Sequence, residues 1–241
     1  VQVIGGAGYI GSMLLPRLLE DGYHVRLLDL FVYGRKPIAD YLDHPNLEVV
    51  EGDFRDVQTV VDVMRGMDAV VHLGAIVGDP ACDLNEQVTV EINLVAARMI
   101  AEVAKGSGVS RFIFASTCSV YGASDNLLDE RSALNPVSLY ARSKISSEQL
   151  LMQMADESFS PFIVRFASFT RGAVKVEIPV PRTMDVTLRA IFALRLSRSA
   201  FPFCPARPGI CCELHRPVCL LLRESGLSLP DRPLDRKSTR L

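Results

Sequence analysis

The sequence predicts an α/β fold, a doubly wound parallel sheet with helices on both faces, and three observations carry that expectation. Short apolar runs suited to buried parallel strands alternate with amphipathic stretches as far as about residue 170. A glycine-rich turn, Gly5-Gly6-Ala7-Gly8-Tyr9-Ile10-Gly11, joins the first apolar run to the first amphipathic stretch. An acid, Asp29, closes the second apolar run eighteen positions after Gly11.

Taken in order, the apolar runs place strands at 1–4, 24–28, 47–50, 69–73, 111–115 and 161–165. The intervening amphipathic stretches place helices over 9–21, 56–65, 85–105 and 137–155. Each helix sits between two strands, so right-handed crossovers build the sheet outward from its first strand. A ligand then belongs at the carboxyl ends of the strands, where the strand order reverses. Beyond about Lys175 the character changes: ten Arg, eight of the fourteen Pro, four of the six Cys and only two Gly follow, without sustained alternation. The single helical candidate there is 184–198, with Pro202, Pro205 and Pro208 close behind it. The expected division is a Rossmann-like domain over 1–172 and, over 173–241, a short irregular part, either a lobe laid over the sheet or a truncated or aberrant end.

Composition narrows the partners. A formal charge of −2 spread over 241 residues argues against nucleic acid, which demands a basic face. No window approaches the roughly 18 uninterrupted apolar residues of a membrane span. The chain starts directly on a strand, without a basic and apolar leader or an initiator Met. A cytoplasmic location, with a residue or two lost from the start, is the expectation. Of the six Cys only Cys82 and Cys118 fall in the patterned part, which suits a reducing compartment. Cys204, Cys211, Cys212, Cys219 and His215 contain no Cys-x-x-Cys pair, and no metal site is expected.

The chemistry-bearing residues fall at strand ends. Gly5, Gly8 and Gly11 are three apart, which allows a tight strand-to-helix turn and close approach of the backbone to a pyrophosphate at a helix N-terminus. Asp29 stands near the offset at which an acid accepts hydrogen bonds from an adenosine ribose and repels a 2′-phosphate, which favours NAD over NADP. Arg35 and Lys36 pull the other way, since either can reach such a phosphate. Asp53-Phe54 closes the third strand beside the expected adenine, Asp53 either accepting from its amino group or capping the helix that starts near Asp56. His72, on a buried strand, reads as a core histidine. The segment Leu73-Gly74-Ala75 is small enough to let a cofactor lie against the backbone.

Ser116-Thr117-Cys118-Ser119-Val120-Tyr121-Gly122 ends the fifth strand in hydroxyls, 23 positions from Thr117 to Tyr140, and Lys144 follows four later on the same helix face. A phenol ordinarily ionises near pH 10. A nearby ammonium and a positive nicotinamide ring would lower that value and turn Tyr140 into a general base, with Thr117 holding the substrate oxygen. Cys118, with no His beside it in the motif, reads as a buried filler.

On these residues the chain resembles the extended short-chain dehydrogenases/reductases of the NAD-dependent nucleotide-sugar epimerase/dehydratase type, over roughly residues 1–172. The resemblance rests on the glycine turn, Asp29, Asp53-Phe54, His72 to Ala75, Asn93, Ser116-Thr117, Val120 to Gly122, Tyr140-x-x-x-Lys144 and Arg165-Phe166-Ala167. It implies NAD contacts from Tyr9, Ile10, Asp29, Asp53, Phe54, Leu73, Gly74, Ala75, Asn93, Tyr140 and Lys144, with Thr117 and Tyr140 at the sugar. It implies epimerisation: transient oxidation of a nucleotide sugar to a keto-sugar and reduction from the other face. Dehydratases of the family place Asp-Glu after this Thr; here Cys118 and Ser119 stand there, so the acids for elimination are missing. Two rivals stay open, an NAD(P)H-dependent carbonyl or keto-sugar reductase or dehydrogenase, and a non-catalytic dinucleotide-binding fragment. The family's four-helix contact would use 85–105 and 137–155 in a homodimer.

Overall fold

A computed structural model describes residues 1–124 and 128–166. The helical candidate at 184–198, the cysteine-rich stretch and the whole of the expected second part lie outside the described residues.

Six strands, β1 (Gln2–Ile4), β2 (Val25–Asp29), β3 (Leu47–Glu51), β4 (Ala69–His72), β5 (Arg111–Thr117) and β6 (Ser160–Phe166), form one sheet in the order β3-β2-β1-β4-β5-β6. Every pairing is parallel. The doubly wound expectation therefore holds, and the order reverses between β1 and β4, where a crevice opens at the strand ends.

Alternation along each strand splits the core between the two faces. Val3, Leu27, Val71 and Ile113 pack with Leu14, Leu15 and Leu18 of helix α1 (Tyr9–Glu20). Ile4, Leu28, Val70, Phe112 and Phe114 pack on the other face. There they meet α2 (Val57–Met64), α5 (Ala97–Gly106) and α6 (Leu139–Gln153) through Val60, Met64, Ile100, Ala104 and Leu151. Burial on both faces is why the strands read as near-continuous apolar runs.

Asp56, not Asp53, caps α2: its carboxylate accepts from Thr59 N at 2.9 Å. The helix expected over 85–105 is instead α4 (Glu86–Val90), a π turn (Glu91–Ala96) and α5 in succession. The widened turn carries Asn93, whose carbonyl accepts from Ser147 Oγ of α6 at 2.8 Å. Such turns recur at functional sites. A short α3 (Asp79–Asp83) between β4 and α4 had no expected counterpart.

Candidate active site

The glycine turn closes for reasons that differ from residue to residue. Gly5 has φ +77°, and a Cβ on it would come within 2.5 Å of Gly74 N, so the turn after β1 lies directly against the chain leaving β4. A Cβ on Gly11 would lie 2.3 Å from Gly6 Cα, so the first turn of α1 is pressed onto the preceding loop. Gly8, the N-cap of α1, is unlike both: the nearest atom to a Cβ there is Gly5 O, at an ordinary 3.5 Å. Nothing among the described residues calls for glycine at this position. The missing side chain leaves open backbone at a helix N-terminus, where first-turn N–H groups have no intrahelical partner.

Asp29 is built into the same turn. Its Oδ2 accepts from Ala7 N at 2.9 Å and its Oδ1 from Phe31 N at 2.7 Å, which holds the carboxylate beside the glycines. Leu73 N and Gly74 N both donate to Ile4 O, at 2.8 and 3.1 Å. The Phe54 ring lies against Gly74, where a Cβ would come within 2.6 Å of it. The Asn93 side chain brackets Ile76, its Oδ1 accepting from Ile76 N at 2.8 Å and its Nδ2 donating to Ile76 O at 2.9 Å. Asn93 thereby holds the segment just after Ala75. Asp53 sits two residues past β3 and is taken up by Arg55, whose Nη2 reaches it at 2.6 Å; that hydrogen bonding holds its carboxyl below the usual range. An open cradle at Gly8, a fixed acid at Asp29 and a glycine-lined strand end fit a dinucleotide.

The second half of the site lies where β5 meets α6. Ser138 Oγ caps α6 by accepting from Ala141 N at 3.2 Å. Two residues on, within the first turn, Tyr140 is buried, and four residues further Lys144 is buried too. Thr117, the last residue of β5, hydrogen-bonds Tyr140, and its Oγ1 also accepts from Ser119 N at 3.1 Å. Lys144 Nζ donates to Ala115 O at 2.9 Å, lies 4.7 Å from the Phe114 ring centre and 6.0 Å from that of Tyr140. The structure thus brings Thr117, Tyr140 and Lys144 together.

Burial sets how the two titratable members of this trio behave in the protein alone. Burial pushes the Tyr140 phenol up to about 12; the Thr117 hydrogen bond pulls the other way and is outweighed. Burial likewise brings Lys144 down to about 8. In the protein alone, therefore, burial decides both groups; the expected lowering of the phenol invokes a nicotinamide ring beside the ammonium. His72 behaves as the core histidine expected: wholly buried among Phe54, Phe112 and Phe114, it is brought down to about 3 by burial and by the Lys144 charge. Its Nδ1 has no hydrogen-bond partner among the described residues.

A buried polar group beside the site escaped sequence reasoning. Glu148, one turn past Lys144, accepts from Ser116 Oγ and pairs with Arg165 Nη2 at 2.6 Å. Arg165 neighbours Ser116 across β5 and β6 and also donates from Nη1 to Tyr121 Oη at 2.8 Å. Lys144 and Glu148 together fasten α6 to Ala115 and Ser116, the two residues before Thr117. Spacing by four from Tyr140 through Lys144 to Glu148 was the available signal. Arg165 is partly exposed, so the pair is only half withdrawn from water.

Among the described residues, no group of three His, Cys, Asp or Glu is placed to hold a metal ion, and no helix is long and apolar enough to cross a membrane.

The sequence profile of the NAD dependent epimerase/dehydratase family matches residues 1–170. The chain belongs to this family. It is 31% identical to the UDP-glucose 4-epimerase of Corynebacterium glutamicum over 156 residues, which cover 64% of this chain and 46% of that enzyme. A dTDP-glucose 4,6-dehydratase from Streptomyces venezuelae, solved with NAD bound, superposes with a TM-score of 0.64 at 32% identity, covering 68% of this chain and 54% of that one. The UDP-glucuronic acid 4-epimerase of Bacillus cereus, solved with UDP-glucuronic acid and NAD, gives 0.64 at 27% identity, over 68% and 55%. The chain thus spans about half the length of these relatives. The cofactor of the family is NAD.

Proposed function

We propose that this chain carries the cofactor and proton-transfer half of an NAD-dependent nucleotide-sugar epimerase acting at C4. The observation that supports this reading most is the meeting of Thr117, Tyr140 and Lys144 at the end of β5, on the side of the sheet where the crevice between β1 and β4 opens. NAD, when bound, supplies a hydride acceptor and the positive charge of its oxidised ring, the influence that the chain lacks for bringing the Tyr140 phenol down from about 12.

Within this reading Gly5, Gly8, Gly11, Tyr9 and Ile10 cradle the pyrophosphate, and Asp29 accepts from the adenosine ribose. Asp53 and Phe54 line the adenine side; Leu73, Gly74 and Ala75 lie along the middle of the cofactor, with Asn93 holding their loop. Tyr140 Oη takes the proton from the sugar hydroxyl and later returns it, Thr117 Oγ1 orients the same oxygen, and Lys144 keeps a cation beneath both. Cys118 and Ser119, in place of an acid pair, leave no group positioned to eliminate water. A homodimer through α5 and α6 and a cytoplasmic setting belong to the same reading.

The test is Tyr140→Phe in the full chain. Turnover of a UDP-hexose at C4 is expected to vanish while NAD still binds. Retained turnover removes the base assignment, net consumption of cofactor moves the assignment to a reductase or dehydrogenase, and NAD binding without sugar binding moves it to a non-catalytic dinucleotide-binding fragment.

A further inference from the structure

Arg35 is a cation close to where the adenosine ribose belongs, and the proposed reaction gives it no task. Its place is defined from several sides. Asp29 and Glu51 are register partners across β2 and β3, so two carboxylates leave adjacent strand ends roughly 5 Å apart. The chain turns just past Asp29 at Phe31, the one non-glycine residue with positive φ (+54°) among the described residues, and the Phe31 N–H is tied to Asp29 Oδ1 at 2.7 Å. That turn brings Arg35 back over the sheet end. Its guanidinium carbon lies 4.5 Å from the Phe31 ring centre, and Nη2 reaches Glu51 Oε2 at 2.5 Å.

We propose that Glu51 is a second determinant of NAD over NADP, acting by holding Arg35. The inference rests on the reading that the adenosine ribose lies at Asp29. A 2′-phosphate carries close to two negative charges and three acceptor oxygens, for which an arginine fork is the natural partner. With Glu51 present, one arm of that fork is already paired and the guanidinium lies over the Phe31 ring. An NADP molecule therefore meets the repulsion of Asp29 without the attraction of Arg35. Both side chains are about half exposed, so the pair is held by geometry rather than by burial, and releasing it leaves the fold intact.

The experiment is calorimetric titration of the full chain with NAD⁺ and with NADP⁺. In Glu51→Gln, NADP⁺ is expected to bind about three- to tenfold more tightly, the size of one partly screened ion pair between the released Arg35 and a phosphate, with NAD⁺ changed less than twofold. Made in the Arg35→Ala background, Glu51→Gln is expected to bring no gain. An unchanged NADP⁺ affinity in Glu51→Gln overturns the proposal. So does a gain that persists without Arg35, since it would then be plain charge removal. If the unaltered protein binds neither nucleotide, the cofactor reading itself fails, which is a distinct result.

Discussion

Gly8 is the position at which protein packing and ligand binding can be separated most sharply. Its backbone, at φ −76° and ψ −177°, is extended and open to any residue, and a Cβ would meet only Gly5 O at 3.5 Å. Alanine there lowers the entropy of the unfolded chain, worth about 0.4–1 kcal/mol, and is a poorer N-cap by a similar amount. The free energy of unfolding without cofactor should therefore stay within about 1 kcal/mol of the parent. The added methyl stands where a pyrophosphate would approach the helix N-terminus. Loss of one charge-assisted hydrogen bond, about 1.5–3 kcal/mol, converts to NAD binding weakened roughly ten- to hundredfold. Gly11→Ala is the control. Its Cβ would lie 2.3 Å from both Gly6 Cα and Gly6 O, backbone that must move, at a cost of about 1–3 kcal/mol in folding itself. Urea unfolding and NAD titration of both variants decide the matter. Gly8→Ala binding NAD like the parent, or unfolding as easily as Gly11→Ala, would refute the reasoning.

Two further outcomes follow from buried titratable groups. Lys144 has a folded value near 8 against an ordinary 10.5, so burying its cation costs stability below pH 8, and the cost fades as pH rises to 10.5. Lys144→Met should thus stabilise the cofactor-free protein by about 1–3 kcal/mol at pH 7 and by little at pH 10, read from urea midpoints; destabilisation at pH 7 would contradict this. His72, near 3 against 6.5, contributes stability that is present above pH 6.5 and is lost as pH falls toward 3. Between pH 7 and pH 5 the parent should lose about 2 kcal/mol more than His72→Leu, and equal losses would show that His72 takes up a proton without opening the core.

Much of the architecture was legible because it is local. Apolar runs of four or five residues, a glycine turn and a Tyr-x-x-x-Lys pair are short-range patterns, and the strands fall within two residues of their expected bounds. Where bounds moved, a distant partner moved them: β5 runs on to Thr117 because β6 continues beside it to Phe166. The expected single helix over 85–105 contains a π turn whose Asn93 meets Ser147 and Ile76, residues far from it in the chain. Glu148 and Arg165 are 17 residues apart in sequence, and only the packing of α6 over β5 and β6 makes them a buried pair.

The sequence by itself determined which residues could do chemistry and in what order along the sheet they come, because spacing along a helix or strand sets which side chains share a face. Tertiary structure decided how those groups behave. That burial holds Tyr140 above its ordinary value, that Gly8 alone of the three spaced glycines would take a Cβ without a clash, and that Arg35 is tied to Glu51 all depend on neighbours brought from elsewhere in the chain. Desolvation and ion pairing follow from what surrounds a group in three dimensions, and a linear pattern carries that information only where the partners lie a turn or a strand apart.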